Sequence, residues 1–167
     1  AFPELEALKA QAVAARSYAL RNRGEYSSKG YDLCATPACQ VYKGKGTEHP
    51  LTDQAVAETR GLVAMHRGRY INALYTSTCG GHTEAANLFF DVPQMAPLSG
   101  RACEYCVGGK WRRWEATIAK TDLCQKLGVK DVSKLRIAEK APGIHALRIE
   151  AGGRSWNGME FRLLAGP

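Results

Sequence analysis

One stretch constrains this chain more than any other: the alanine-rich run from Pro3 to Arg23. Five of the nine residues from Ala7 to Ala15 are alanine, the best helix former, which orders no side chain on folding. Leu5, Leu8, Ala12, Ala15 and Ala19 recur at three- and four-residue spacing and make an apolar stripe. Pro3 suits a first helical turn, Glu4 and Glu6 sit at the positive end of the dipole, and Arg21 and Arg23 sit at the negative end before Gly24. The spacing predicts a helix over 3–23. Its small side chains allow neighbours close, so a central, well-buried helix is expected.

Beyond Gly24 the local signals are weaker. Residues 24–50 are rich in turn formers and form a structured loop around a short strand, Gln40–Tyr42. A second helix is expected over Asp53–Thr59, capped by Thr52 and stopped by Gly61. Leu62–Met65 and Tyr70–Tyr75 read as strands of a hairpin turning at 66–69. A polar loop covers 76–83, a strand Trp114–Ile118, and a short helix Thr121–Leu127 closed by Gly128. Two last strands, Ala146–Ala151 and Glu160–Leu164, flank a glycine-rich turn. This order gives an α+β fold: one domain over 1–167, its buried alanine-rich N-terminal helix packed on mixed, mainly antiparallel strands.

Composition narrows the function. The 167 residues suffice for one domain with a real core. No apolar run approaches the roughly 20 residues that span a bilayer, so no transmembrane segment is expected. The formal net charge of +7 favours an anionic partner: nucleic acid, an anionic membrane surface or an acidic polysaccharide. The ends read as cut edges, with Ala1 in the approach to a helix and Gly166-Pro167 straight after a strand-like run.

Six cysteines carry metal or redox chemistry: Cys34, Cys39, Cys79, Cys103, Cys106 and Cys124. Cys103-x2-Cys106 is a zinc half-site that needs two further ligands. Disulfides in an exported protein explain the same pattern equally well. No helix follows Cys103 and Cys106 in the manner of a thioredoxin-type redox pair.

Two segments concentrate reactive side chains. On the first helix Glu6 and Lys9 are three apart and can pair, while Lys9 and Arg16 share a face and Gln11 points elsewhere. This is either a solvated edge or a carboxyl held beside a cation in a groove. The loop from Thr76 through Ser77, Thr78, Cys79, Gly80, Gly81 and His82 to Glu84 is the densest polar cluster. His82 and Glu84 suit acid–base work, and Cys79 and His82 have metal-ligand spacing. A Cys79 nucleophile with His82 as base is disfavoured, because residues three apart in a loop seldom face each other. Trp111 and Trp114 around Arg112 and Arg113 can stack sugars or bases, or simply divide between core and surface. His49, His66 and His145 are read as surface residues.

The run Glu6-Ala7-Leu8-Lys9-Ala10-Gln11-Ala12-Val13-Ala14-Ala15-Arg16-Ser17-Tyr18 resembles the signature helix of the SpoIID/LytB family. Asp32–Cys34 with Cys39–Tyr42, Ala55–Gly61, Tyr75–Glu84 and Gly158–Arg162 resemble it too, in the same order. The resemblance implies a bacterial cell-wall protein, extracytoplasmic, related to sporulation. It implies a lytic transglycosylase that cuts between N-acetylmuramic acid and N-acetylglucosamine on peptide-stripped glycan, or an enhancer of an N-acetylmuramoyl-L-alanine amidase.

By the same resemblance, Glu6 is the best match to the catalytic acid within the chain; family members usually carry a further Glu a few residues upstream of Ala1, and that residue is the alternative catalytic acid, with Glu6 then its neighbour. Lys9, Gln11, Arg16, Tyr18, Gln40, Tyr42, Ser77 and Thr78 would line the glycan groove. Members hold zinc through Cys and His, which gives Cys34, Cys39, Cys79 and His82 as a ligand set for a structural Zn2+. Cys103 and Cys106 compete as an alternative pair. Ala38 stands where many members have His. The implied partners are peptidoglycan glycan strands and a cell-wall amidase. Nucleic acid has only the charge in its favour.

Physical chemistry fits these expectations. Stripped glycan keeps one lactyl carboxylate per disaccharide and attracts a basic protein. Lytic cleavage needs a single carboxyl group, which protonates the glycosidic oxygen. It then takes the proton from the muramyl 6-hydroxyl as that oxygen closes on the anomeric carbon.

Overall fold

The computed structural model describes residues 4–76, 78–109 and 112–166. The fold is α+β. Its elements in chain order are α1 (Leu5–Arg21), α2 (Pro50–Glu58), β1 (Met65–His66), β2 (Arg69–Tyr70), β3 (His82–Thr83), β4 (Arg101–Ala102), α3 (Lys120–Leu127), β5 (Arg136–Lys140), β6 (Ala146–Ala151), β7 (Arg154–Asn157) and α4 (Gly158–Ala165). The chain divides into two compact units between Tyr75 and Thr76.

In the first unit α1 packs on α2 and touches β2. Pro3, the expected first-turn residue, lies outside the described residues. Asn22 ends the helix, its backbone N–H and side-chain amide both donating to the Tyr18 carbonyl. The helix is less enclosed than its alanines suggest, since Ser17 is its one buried residue. The Ser17 hydroxyl donates to the Val13 carbonyl at 2.6 Å and accepts from the Ala64 N–H at 2.8 Å, which ties α1 to the approach to β1. The second helix starts earlier than its sequence suggests. Pro50 takes the first position, and the His49 ring accepts from Leu51 N while Thr52 bonds back to His49. The expected hairpin is present but short, with Met65 opposite Tyr70 and His66 opposite Arg69.

In the second unit β5, β6 and β7 form an antiparallel sheet in that order. Gly152 and Gly153 make the two-residue turn between β6 and β7, setting Ala151 opposite Arg154. Leu123 and Leu127 of α3 close on Val132, Ala151 and Trp156, with Phe161 and Ala165 of α4 packed alongside. The expected strand over Glu160–Leu164 is therefore a helix. Asn157 caps it by accepting from Glu160 N at 2.8 Å, and Phe161 and Ala165, four apart, share the core-facing side. The expected strands Gln40–Tyr42 and Trp114–Ile118 do not form. Residues 112–118 are exposed throughout and have no partner strand in the sheets described.

Candidate functional site

Where α1 packs on α2, Lys9 is held between two carboxylates. Its Nζ lies 2.7 Å from Glu6 Oε1 and 2.6 Å from Glu58 Oε2. Gln54 fixes Glu58 from the preceding turn of α2, donating to Oε1 at 2.7 Å. Glu58, then Glu6, hold the Lys9 ammonium above the ordinary lysine range. Lys9 and then Gln54 hold the Glu58 carboxyl below the usual carboxylate range. The Glu6 side chain is 81% exposed and that of Lys9 25% exposed. The Glu6–Lys9 pair that the spacing allows is formed, and of the two arrangements open from the sequence the exposed Glu6 side chain fits the solvated edge. Glu58 carries no local signal; only the packing of α2 on α1 brings it to Lys9.

The remaining α1 candidates divide between packing and surface. Arg16 turns its guanidinium onto the end of α2, donating to the carbonyls of Thr59 at 2.8 Å and Leu62 at 2.7 Å. It thereby satisfies orphan carbonyls beyond the last turn. Gln40 reaches back to α1 and donates to the Ala15 carbonyl at 2.8 Å. Tyr18 is half-buried, and burial pushes its hydroxyl up. Gln11 and Tyr42 are exposed. Thr78 is half-buried, its carbonyl accepting from Thr76 Oγ1. Ser77 lies outside the described residues.

Cys34 and Cys39 meet within the first unit: Cys39 Sγ accepts from Cys34 N at 3.1 Å. Hydrogen bonding to Cys39, then to Thr36, lowers the Cys34 thiol to about 7. The Tyr26 hydroxyl shares this cluster, and the two thiols push it up, Cys39 most of all.

The loop carrying Cys79 and His82 is built differently from its sequence reading. Gly80 turns the chain at φ +70, and a side chain there would run into Ile144. The turn leads into the β3–β4 pairing, with His82 opposite Ala102. Cys103 N–H then donates to the Gly81 carbonyl at 2.9 Å. Cys79 consequently faces Cys106, sulfur to sulfur at 3.4 Å. The metal-ligating atoms of Cys79, Cys103 and Cys106 lie within 4.8 Å of one another, the one such group among the described residues. The Cys103-x2-Cys106 spacing signalled this pair; nothing in the sequence signalled that Cys79 joins it. All six thiols are free.

Glu84 is the other buried feature of this loop, with its side chain 6% exposed. It accepts from the backbone N–H groups of Gly143, Ile144 and His145 and meets His145 Nδ1 at 3.1 Å. Burial works to raise this carboxyl, but the His145 side chain and the backbone donors outweigh it and hold the carboxyl below its usual range. His145 is thus a partner of Glu84 and not the isolated turn residue its sequence suggests. His82 Nδ1 is buried without a hydrogen-bond partner and stands 3.7 Å from Glu84 Oε2.

Zinc, as the resemblance implies, fits the three-thiol group: thiolates are its preferred soft ligands, and the sulfurs are close enough to share one ion. Such an ion would supply a structural crosslink. The set of Cys34, Cys39, Cys79 and His82 is drawn from both units: two belong to the first and two to the second.

An α+β protein with this helix face and these thiol groups has known relatives. Residues 1–66 match the family model SpoIID, Stage II sporulation protein. An uncharacterised protein of Brachyspira hyodysenteriae is 32% identical over 169 residues, covering 98% of this chain and 45% of that protein. Stage II sporulation protein D of Bacillus subtilis is 30% identical over 182 residues, covering 94% of this chain and 51% of that protein. The amidase enhancer of Bacillus subtilis is 43% identical over 83 residues, covering 50% of this chain and 11% of that protein. The matched segment and the relatives named for the family together support assigning the chain to the SpoIID family. It spans about half, or less, of the length of these relatives. Among the described residues no helix is long and apolar enough to cross a membrane.

Proposed function

We propose that this chain acts on the glycan strands of the bacterial cell wall, outside the cytoplasm, as a lytic transglycosylase domain of the SpoIID type. The observation that carries the reading is the face of α1, inside the segment that matches the family: an exposed Glu6 carboxylate with the Lys9 ammonium fixed 2.7 Å away. In its protonated form Glu6 donates its proton to the glycosidic oxygen between N-acetylmuramic acid and N-acetylglucosamine. The carboxylate so formed, stabilised by Lys9, takes the proton of the muramyl 6-hydroxyl as that oxygen attacks the anomeric carbon. The C1–O bond breaks, a 1,6-anhydro ring closes, and no water is consumed. The net charge of +7 draws in a strand that keeps its lactyl carboxylates after the peptides are gone.

A second reading has its own support. A general acid is ordinarily enclosed so that it can hold a proton near neutral pH, whereas the Glu6 side chain is 81% exposed. One relative is named an amidase enhancer. In this reading the chain grips glycan and stimulates a cell-wall amidase without cutting the strand itself.

Mass spectrometry of peptide-stripped glycan incubated with the chain and with Glu6→Gln separates the two. Products ending in 1,6-anhydro-muramic acid with the wild type and none with Glu6→Gln support the transglycosylase. Unbroken strands with both, together with amidase stimulation kept in Glu6→Gln, support the enhancer.

A further inference from the structure

We propose that Cys79, Cys103 and Cys106 form a metal centre of their own, independent of Cys34 and Cys39, that binds Zn2+ and staples the 78–109 segment.

The first argument is geometric. Tetrahedral zinc thiolates place their sulfurs about 3.8 Å apart, given Zn–S bonds of about 2.3 Å. Cys79 and Cys106 stand at 3.4 Å, and all three sulfurs fall within 4.8 Å of one another before any ion draws them in. Backbone contacts hold this arrangement. The Gly80 turn returns the chain toward β4, the His82–Ala102 pairing aligns the two strands, and the Cys103 N–H bond to Gly81 brings the second loop alongside. Gly109 N–H bonds the Cys106 carbonyl and closes that loop. Cys79 is buried and the other two are half-buried, so the ion would be shielded yet reachable.

The second argument concerns what else holds the segment. Its strands are two residues long, and its buried hydrophobic residues among those described are Cys79 and Ala86. The loop beside Cys106 turns its bulk outward, with Tyr105 97% exposed and Val107 66% exposed. A segment with so little core needs a crosslink to keep one conformation, and a metal is the usual means in small, loop-rich pieces. Three thiolates select a soft ion over Mg2+ or Ca2+. His82 follows Cys79 at Cys-x2-His spacing but lies outside the three-sulfur group, its Nδ1 on the Glu84 side. It is therefore not among the ligands assigned.

The test reads metal, not activity. The chain is produced with zinc in the medium and purified without chelator, as wild type, as Cys34→Ser/Cys39→Ser, as Cys103→Ser and as Cys106→Ser. Bound zinc is measured by inductively coupled plasma mass spectrometry. The centre predicts about one zinc per chain in wild type and in the Cys34→Ser/Cys39→Ser variant. It predicts at least about a tenfold loss in Cys103→Ser and Cys106→Ser. Should those two variants fold poorly, cobalt(II) added to Cys34→Ser/Cys39→Ser gives an independent reading. The centre predicts thiolate-to-cobalt charge-transfer absorption that is lost on adding zinc. Zinc retained in Cys103→Ser and Cys106→Ser, absence of the cobalt band, or a Cys79–Cys106 disulfide in non-reducing peptide mapping overturns the proposal.

Discussion

Glu84 and His145 meet at 3.1 Å, Oε1 to Nδ1, and three consecutive backbone N–H groups, of Gly143, Ile144 and His145, converge on the same carboxylate. This contact fastens the β3 loop to the approach to β6. Gly143 makes it possible, because a Cβ there would stand 2.7 Å from His82 Nδ1 and press on Glu84. Glu84→Gln removes the charge from a buried acceptor and should cost about 2 kcal/mol of stability. The check is the shift in the urea midpoint.

The same carboxylate sets a pH dependence. Its folded value lies below its ordinary value because donor hydrogen bonds outweigh burial. Its contribution is therefore complete above the unfolded carboxyl's pKa of about 4.3 and is lost as pH falls through the lower, folded value. The facing titratable groups are His82 and His145. Wild type should lose stability more steeply than Glu84→Gln as pH is lowered below about 4.3. Denaturation curves for both proteins at a series of acid pH values would show it, and parallel losses would refute it.

Arg16 joins α1 to the end of α2 through the carbonyls of Thr59 and Leu62. Arg16→Ala should destabilise the chain by about 1.5–3 kcal/mol, the range for hydrogen bonds from a charged donor. Arg16→Lys should recover only part of this, since one ammonium cannot reproduce the guanidinium fork. Thermal unfolding followed by circular dichroism ranks the three proteins.

Glu6 carries no packing role that would confuse a functional experiment. Its side chain is 81% exposed and, among the described residues, bonds only Lys9, which keeps Glu58 as a second partner. Glu6→Gln should shift Tm by less than about 2 °C. A larger drop in a calorimetric scan would assign the residue a structural part.

Leu127 is among the largest fully enclosed side chains and packs with Trp156 in the core of the second unit. Leu127→Ala should cost about 2–5 kcal/mol, the range for large-to-small changes in a core. Equilibrium unfolding measures it directly.

Local signals make some elements legible, and long-range ones hide the rest. Alanine content and the apolar stripe place α1 within two residues of its observed ends, Leu5 and Arg21. The Gly128 stop marks the end of α3, and the glycine-rich turn marks the end of β6. Glu160–Leu164 reads as a strand because a short apolar run suits either state. The Asn157 cap and the core contacts of Phe161 and Ala165 decide for the helix. β5 has no local signature, because its partly exposed Arg136–Lys140 run gains its identity only from pairing with β6. The site divides in the same way. Glu6 and Lys9 are three apart on one helix and can be paired from spacing, whereas Glu58 on Lys9 and Cys79 beside Cys106 depend on folded loops and packed helices.

On the proposed function, this chain takes the cell-wall glycan as a polyanion. The most direct test is binding of the purified chain to peptide-stripped glycan strands and to the same strands after reduction of their lactyl carboxyls, by isothermal titration calorimetry at low and moderate salt. The account predicts binding to the charged strand that weakens as salt is raised, and at least about tenfold weaker binding to the reduced strand. Equal affinity for both strands, unaffected by salt, would contradict it.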